Sequence, residues 1–394
     1  MNTKLTDVTE TKINKIFSER LDQIESPAYV LDEVRIRQNL DVFQRVMNES
    51  GAKAILALKA FSSFSVFPLL RSVLSGTTSS SLHEAQLAHE EFGKDIHVYS
   101  PAYRDSEFES IQKLAHSITF NSFSQWQHFQ PQVNSGKYKV SYGIRLNPEH
   151  SETRVQMYDP CQPFSRLGVT IDEFRPDLLD GISGFHIHTL CAQSAEALER
   201  TLKVAEEKFG QYFHQVSWLN FGGGHMLTRD DYNVDKLIEV INYFQDKYKL
   251  QVIIEPGEAV VLRAGYFVAT VVDLLKNKKD IAILDTSANA HMPDIIEMPY
   301  RPNIQGSAQA EEFKYTYRLG GITCLSGDII GDYSFNQPLK IGQKLIFEDM
   351  AQYTMVKNTT FNGLRLPSIY VLRENGNLEL IKHFGYSDFK SRLS

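Results

Sequence analysis

Apolar positions in the first two thirds of the chain fall in short runs separated by amphipathic stretches. Residues 29–31 and 54–58 are apolar runs. The first is followed by a helix-like segment over 32–50 and the second by one around 68–74. Helical spacing over 81–92 leads to a run at 95–99. Runs near 117–122, 140–147, 181–190, 216–224 and 250–258 continue the series, with helical periodicity over 194–209 and 233–248 between them. Short strands alternating with helices predict a parallel sheet. Roughly eight such units over about 230 residues predict a (β/α)8 barrel, with an open doubly wound sheet as the alternative. The fold class is therefore α/β.

The pattern changes after about residue 263. Segments 266–275, 279–287, 313–324, 344–356 and 367–384 read as strands separated by turns, with Glu374-Asn375-Gly376-Asn377 as a hairpin turn. Few helical patterns remain, so a C-terminal β-sandwich or β-barrel domain is expected. The boundaries that follow are a barrel over 35–265, with 1–34 and 266–394 forming the β-domain. No linker, repeat or low-complexity tract separates them. Ligand sites favour junctions of that kind.

Length and composition agree with this picture. The 394 residues exceed a usual single domain. At 42% hydrophobic and 23% charged the chain has the balance of a soluble protein, and 24 Phe with 18 Tyr are ample core material. No apolar run is long enough for a membrane span, and residues 1–20 carry no apolar signal region. Cys161, Cys191 and Cys324 form neither a disulfide framework nor a zinc motif, which suggests a reducing cytoplasm. A net charge of -7 argues against a nucleic-acid partner and suits a cationic small molecule.

In a barrel, functional groups belong at the C-terminal ends of strands. Lys59 follows the run at 54–58. A lysine there is suited to Schiff-base chemistry, and equally to a snorkelling strand-end role. Gly222-Gly223-Gly224 follows another run; it would let backbone N–H groups approach a phosphate, or form a tight turn. Glu255-Pro256-Gly257-Glu258 offers a strand-end carboxylate able to hold a proton on a heterocyclic nitrogen, or to cap or pair. His186 and His188 share one strand face. They suggest a metal pair without an evident third ligand, a ring-stacking role or satisfied core histidines. Cys324, in a glycine-flanked polar segment, is either an inert thiol or a reactive one.

In order, these pieces are Lys59 within Ala57–Ala60, the His186–His188 strand, the three glycines, Glu255-Pro256-Gly257, Gly321 to Asp328 around Cys324, and Ala351 to Thr354. The set resembles the fold-type III pyridoxal-phosphate decarboxylases, the group of ornithine and diaminopimelate decarboxylases, over about residues 26–372. Within it the motifs at 255–260, 285–302 and 323–331 look most like those of the carboxynorspermidine decarboxylases. The resemblance implies an alanine-racemase-like barrel and pyridoxal 5'-phosphate at Lys59. His188 would stack on the pyridine ring. Gly222, Gly223, Gly224, Gly257 and Tyr353 would bind the phosphate, and Glu255 would pair with the pyridine nitrogen. Cys324 would return the proton after carbon dioxide leaves, across the interface of a homodimer with shared active sites.

Two departures from the resembled family stand out. Glu258 occupies a position where most relatives carry arginine, and Leu325 one where diaminopimelate-specific relatives carry glutamate. Recognition of substrate amines would then fall to Glu258 and Asp294, with Asp328 also at the substrate. The expected activity is decarboxylation of carboxynorspermidine or carboxyspermidine, cationic polyamine precursors. Diaminopimelate decarboxylation is the alternative. A non-catalytic homologue is the alternative of another class, and the presence of Lys59, Glu255 and Cys324 opposes it.

Overall fold

A computed structural model of the chain describes residue 17 and residues 19–153 and 155–394. The expectation for residues 1–34 thus extends partly outside the described residues. The chain divides into two compact units: one is Arg37–Val260, the other the described residues up to Ile36 with Val261–Ser394.

The first strand, β1 (Ala28–Asp32), belongs to the second unit. In Arg37–Val260 eight parallel strands close into a barrel: β2 (Lys53–Ala57), β3 (Gly76–Ser79), β4 (Asp95–Tyr99), β5 (Ser117–Phe120), β6 (Ser141–Arg145), β7 (Ile182–His186), β8 (Trp218–Asn220) and β9 (Gln251–Ile254). Closure comes from β9 pairing back to β2, with Lys53 opposite Ile253 and Ala54 opposite Ile254. The sequence pattern reached about eight units, but not the same eight. Residues 29–31, first in the series, lie outside the barrel, and β3, a polar Gly-Thr-Thr-Ser strand, takes the vacant place. It carries no apolar run because it is held by register. A Cβ on Gly76 would lie 2.1 Å from the Asp95 carbonyl oxygen, so the neighbouring strand approaches closer than any side chain allows.

The barrel interior is packed rather than hollow. The Trp218 indole fills space beside Gly143 and Gly184, where a Cβ would come within 2.4 and 2.0 Å of its ring, and its Nε1 donates to Ser141 Oγ at 2.9 Å. Overpacking of this kind costs about 1–3 kcal/mol. The helices follow their patterns: Ala195–Phe213 begins at Ser194, whose side chain accepts from the Ala197 N–H, and Val234–Tyr248 begins at Asn233 in the same way.

In the other unit nine strands join in one sheet. They are β1, β10 (Gly265–Asn277), β11 (Lys279–Leu284), β12 (Ser307–Ala308), β13 (Tyr315–Gly320), β14 (Ile329–Phe335), β15 (Lys344–Glu348), β16 (Ser368–Leu372) and β17 (Leu378–Lys382). The order β12-β14-β13-β11-β10-β1-β16-β17, with β15 on β10, has two free ends. Period-two alternation gives each face its own core. Phe267, Ala269 and Val271 pack to one side with Tyr29, Leu319 and Tyr333, while Tyr266 and Val268 pack to the other with Ala28, Val30 and Tyr370. Burial on both faces is why the start of β10 reads as a continuous apolar run. Strand β14 had no such signature, since Gly331 and Asp332 interrupt it.

Candidate active site

Because all barrel strands are parallel, residues that follow them emerge on one rim. Lys59 stands just beyond β2, His188 beyond β7, Gly222 beyond β8 and Glu255 directly after β9. Lys59 Nζ lies 3.4 Å from His188 Nε2. Glu255 Oε1 accepts from Asn220 Nδ2 at 2.8 Å, and its Oε2 is 3.4 Å from His186 Nε2. The His186 and His188 rings are nearly parallel, 17° apart in plane, with centroids 6.0 Å apart.

The glycines hold these side chains as well as bending the chain. The Gly222 N–H donates to Asn220 Oδ1 and the Gly223 N–H to His188 Nδ1, both at 2.8 Å. A Cβ at Gly222 would lie 2.5 Å from the His188 Cβ, one at Gly223 2.5 Å from the Glu255 carbonyl oxygen, and one at Gly257 2.5 Å from the Ala60 Cβ. The turn therefore requires glycine whatever it binds. Two of its amides are already committed within the protein.

Electrostatics follow from burial. Lys59 retains solvent-accessible surface, yet protein surrounds its ammonium position closely enough that desolvation lowers its pKa, with Glu255 only partly offsetting the effect. Burial, reinforced by Lys59 and Arg145, pushes His188 well below its usual value. His186 is lowered by burial as well. Burial raises Glu255, but the adjacent His186 and the Asn220 amide outweigh it and hold the carboxyl well below its usual range. The rim thus presents a neutral imidazole, an anionic carboxylate and a lysine biased towards the free amine.

His186, His188 and Glu255 also bring one ligand atom each within 4.8 Å of one another, so the fold supplies the third ligand that the sequence did not reveal. The tautomer opposes coordination. The lone pair of His188 Nδ1 accepts the Gly223 N–H, so a neutral ring carries its proton on Nε2 and has no lone pair there for an ion. A pyridoxal phosphate suits these groups better. Its aldehyde needs a free amine, its ring nitrogen needs a buried anion, and its phosphate needs backbone amides on a glycine turn.

Several rim residues escaped the sequence reading. Asn220 is one. Arg145, 3% exposed, donates from Nη2 to the His188 carbonyl at 2.8 Å and sits 4.7 Å over the Tyr99 ring. Glu84, its pKa raised by burial, accepts from the Ser80 N–H at 2.6 Å, while Ser81 Oγ accepts from the Glu84 N–H at 3.2 Å. The last bond makes Ser81 the N-cap of the helix Leu82–Leu87, and its Ser-x-x-Glu spacing was readable in advance. Arg145 had a weaker signal, a charge inside an apolar strand.

The remaining candidates apart from Glu258 lie in the sheet unit. Cys324 is exposed on the loop between β13 and β14, and its N–H donates to Asn362 Oδ1 at 2.8 Å. Asp328 is 4% exposed. Its Oδ1 accepts from the N–H groups of Ala288 (2.7 Å) and Asn289 (3.4 Å), and its Oδ2 from the Thr323 N–H (3.2 Å) and hydroxyl (2.6 Å). So enclosed, it ties the loop together. Asp294 accepts from Lys357 Nζ at 2.6 Å, and Glu297 pairs with the same ammonium. Two carboxylates sharing one lysine leave a net negative charge. Tyr353 has φ 52° and ψ -51° at the centre of a γ-turn closed by the Thr354 N–H and Gln352 carbonyl at 2.5 Å. That geometry is rare and strained for a non-glycine residue and clusters at functional sites. Glu258, half-buried in the barrel unit, starts the short helix Glu258–Val261.

Comparisons with known proteins give the same direction. The sequence model of the family described as "Pyridoxal-dependent decarboxylase, C-terminal sheet domain" matches residues 28–351. A carboxyaminopropylagmatine decarboxylase from Synechocystis is 45% identical, across 97% of this chain and 98% of its own. A carboxynorspermidine/carboxyspermidine decarboxylase from Campylobacter jejuni is 44% identical, across 94% and 99%. The crystal structure of carboxynorspermidine decarboxylase from Campylobacter jejuni with norspermidine superposes with a TM-score of 0.87 at 43% identity, covering 94% of this chain and 100% of that one. A Helicobacter pylori diaminopimelate decarboxylase, at 19% identity and a TM-score of 0.81, shares the fold.

Proposed function

Because the chain belongs to the pyridoxal-dependent decarboxylase family, we propose that it removes the α-carboxylate of carboxynorspermidine or carboxyspermidine at a cofactor carried by Lys59. The observation that carries this reading is the Lys59–His188–Glu255 cluster, a desolvated amine, a neutral imidazole and a buried carboxylate on one barrel rim.

When bound, pyridoxal phosphate supplies the electron sink that lets carbon dioxide depart without its bonding electrons. Lys59 offers the amine that holds it. Glu255 keeps the ring nitrogen protonated, and Asn220 with His186 keeps Glu255 ionised and oriented. His188 lies against the ring face, fixed by Gly223. The amides of Gly224 and Gly257, with the Tyr353 hydroxyl, hold the phosphate; Gly222 and Gly223 hold the side chains that surround it. After carbon dioxide has left, Cys324 Sγ would return a proton to the α-carbon, and the thiolate would recover its own from solvent. Glu258 and the Asp294 cluster meet the cationic tail. Asp328 serves the Cys324 loop rather than the substrate.

A homodimer in which each Cys324 serves its partner's barrel fits the exposed apolar residues of that loop region, Ile322, Leu325, Ile329 and Phe361. A cytoplasmic location fits three free cysteines and the absence, among the described residues, of any helix long and apolar enough to cross a membrane. A second substrate reading, carboxyaminopropylagmatine, is favoured by the 45% identity to the Synechocystis relative. Carbon dioxide release should be measured in parallel with these three compounds, diaminopimelate and ornithine. One of the three should exceed diaminopimelate in kcat/KM by about 100-fold or more, equivalent to at least about 2.7 kcal/mol of transition-state discrimination. Preference for diaminopimelate, or no release from any compound, would overturn the reading.

A further inference from the structure

We propose that Asn362 is a positioning residue: its side-chain oxygen holds the Cys324 backbone, and so the thiol, where proton return requires it. The inference rests on the reading of Cys324 as the proton donor.

Cys324 is exposed on its own chain, so nothing in that chain packs its side chain in place, and its position there is set through its backbone. Two side chains do this, both from further along the chain. Asp328 receives both the N–H and the hydroxyl of Thr323. Asn362, 38 residues further along than Cys324, receives the Cys324 N–H at 2.8 Å. Of two consecutive residues on one exposed loop, Thr323 is thereby tied to the far end of its own loop and Cys324 to a segment 38 residues on. The loop is built around the first tie: a Cβ on Gly321 would stand 2.2 Å from Asp328 Oδ2.

Asn362 is placed for its task by its backbone. It has φ 56° and ψ 18°, in the left-handed region, and Gly363 follows at φ 74°. Asparagine tolerates that region better than other side-chain-bearing residues. An ordinary residue would serve if position 362 needed only to turn. A hydrogen-bond acceptor aimed at the amide of the thiol-bearing residue adds a reason for asparagine that a turn alone does not supply. No family residue was expected here, and position 362 lies beyond the segment matched by the family model.

The chemistry explains the demand. Proton return forms one C–H bond and breaks one S–H bond, the electron pair on carbon taking the proton while sulfur keeps its own pair. Displacing a reacting group by about 1 Å can cost about 100-fold in rate.

The full-length holoenzyme provides the test, with Asn362→Gly, Asn362→Asp and Cys324→Ala. Glycine keeps the left-handed backbone and removes the acceptor; aspartate keeps an acceptor. Asn362→Gly should lower kcat by about 10- to 50-fold, within that misplacement limit, with KM, cofactor content and melting temperature unchanged. It should also alter the rate of Cys324 alkylation by iodoacetamide. Asn362→Asp should recover most of kcat. Wild-type kcat in Asn362→Gly beside an inactive Cys324→Ala would overturn the inference and leave Cys324's role standing. An Asn362→Asp protein as slow as Asn362→Gly would overturn it too, because the acceptor would not be what matters. Full activity in Cys324→Ala would remove the proton-donor reading and the inference together, and only that outcome leaves the thiol-free enzyme active.

Discussion

The Gly223 amide donates to His188 Nδ1 at 2.8 Å, and this bond settles which ring nitrogen carries the proton of a neutral His188. With Nδ1 engaged as an acceptor, a neutral His188 bears its proton on Nε2. Lys59 Nζ, 3.4 Å from Nε2, can then interact favourably only as an acceptor, that is, as a free amine. Burial pushes both groups the same way. A backbone amide thus favours the nucleophilic form of a side chain it never touches.

Lys59 should therefore capture pyridoxal phosphate at lower pH than an ordinary lysine. Its pKa is lowered from 10.5, so its free-amine fraction near neutrality is enlarged, and capture falls off only as pH drops through the lowered value. Borohydride reduction at neutral pH with peptide mapping should place the adduct at Lys59, and Lys59→Ala should be inactive. Lys53, paired with Asp95 at 3.0 Å, should stay unmodified; an adduct there would refute the assignment.

Glu255→Gln should retain cofactor yet lose about 100-fold or more in kcat. A neutral amide cannot hold the ring nitrogen protonated, and the electron sink weakens. Loss of cofactor instead of rate would assign Glu255 to binding alone.

The buried histidines should make the fold acid-sensitive. Burial lowers His97 to about 4, with Ser117 Oγ 2.6 Å from its Nδ1, and lowers His225 to about 4 as well. Between about 6.5 and 4 the unfolded chain binds protons that the folded chain refuses. Stability is therefore full above that window and is lost as pH falls through it, by on the order of 3 kcal/mol per histidine. Chemical denaturation from pH 7 to 4 should show this loss, and His97→Gln should flatten the slope. An unchanged slope would mean His97 ionises freely in the fold.

Glu258→Gln should lower kcat/KM by about 10- to 100-fold with cofactor content unaltered, through loss of a charge-assisted contact to a substrate amine. Asp294→Asn should do the same, because it cancels the net charge left by Asp294, Glu297 and Lys357. Kinetics unaffected in both variants would move the tail pocket elsewhere.

Lys59→Ala and Cys324→Ala proteins should each be inactive, and their equal mixture after subunit exchange should regain roughly a quarter of wild-type activity, because about half of the dimers are hybrids with one intact site each. Hybrids verified by mass spectrometry but lacking activity would show that each chain completes its own site.

The candidate site was legible in sequence wherever chemistry coincides with a strand end. Lys59, His188 and Glu255 each follow an apolar run, and parallel strands bring such residues to one rim. Periodicity likewise revealed helices such as Ala195–Phe213 and the change of pattern beyond residue 263. What periodicity could not carry was any feature set by a partner distant in sequence. Strand β3 is polar because register with β4 holds it, and β1 reads like a barrel strand although it pairs with β10 and β16. Asp328 read as a substrate contact, and only the folded chain shows Ala288 and Thr323 engaging its carboxylate. The proton of His188 and the acceptor for Cys324 depend on Gly223, 35 residues away, and Asn362, 38 residues away. Residue type and local spacing decide what each side chain can do; which of its atoms are already engaged is decided only when the folded chain brings its partners into reach.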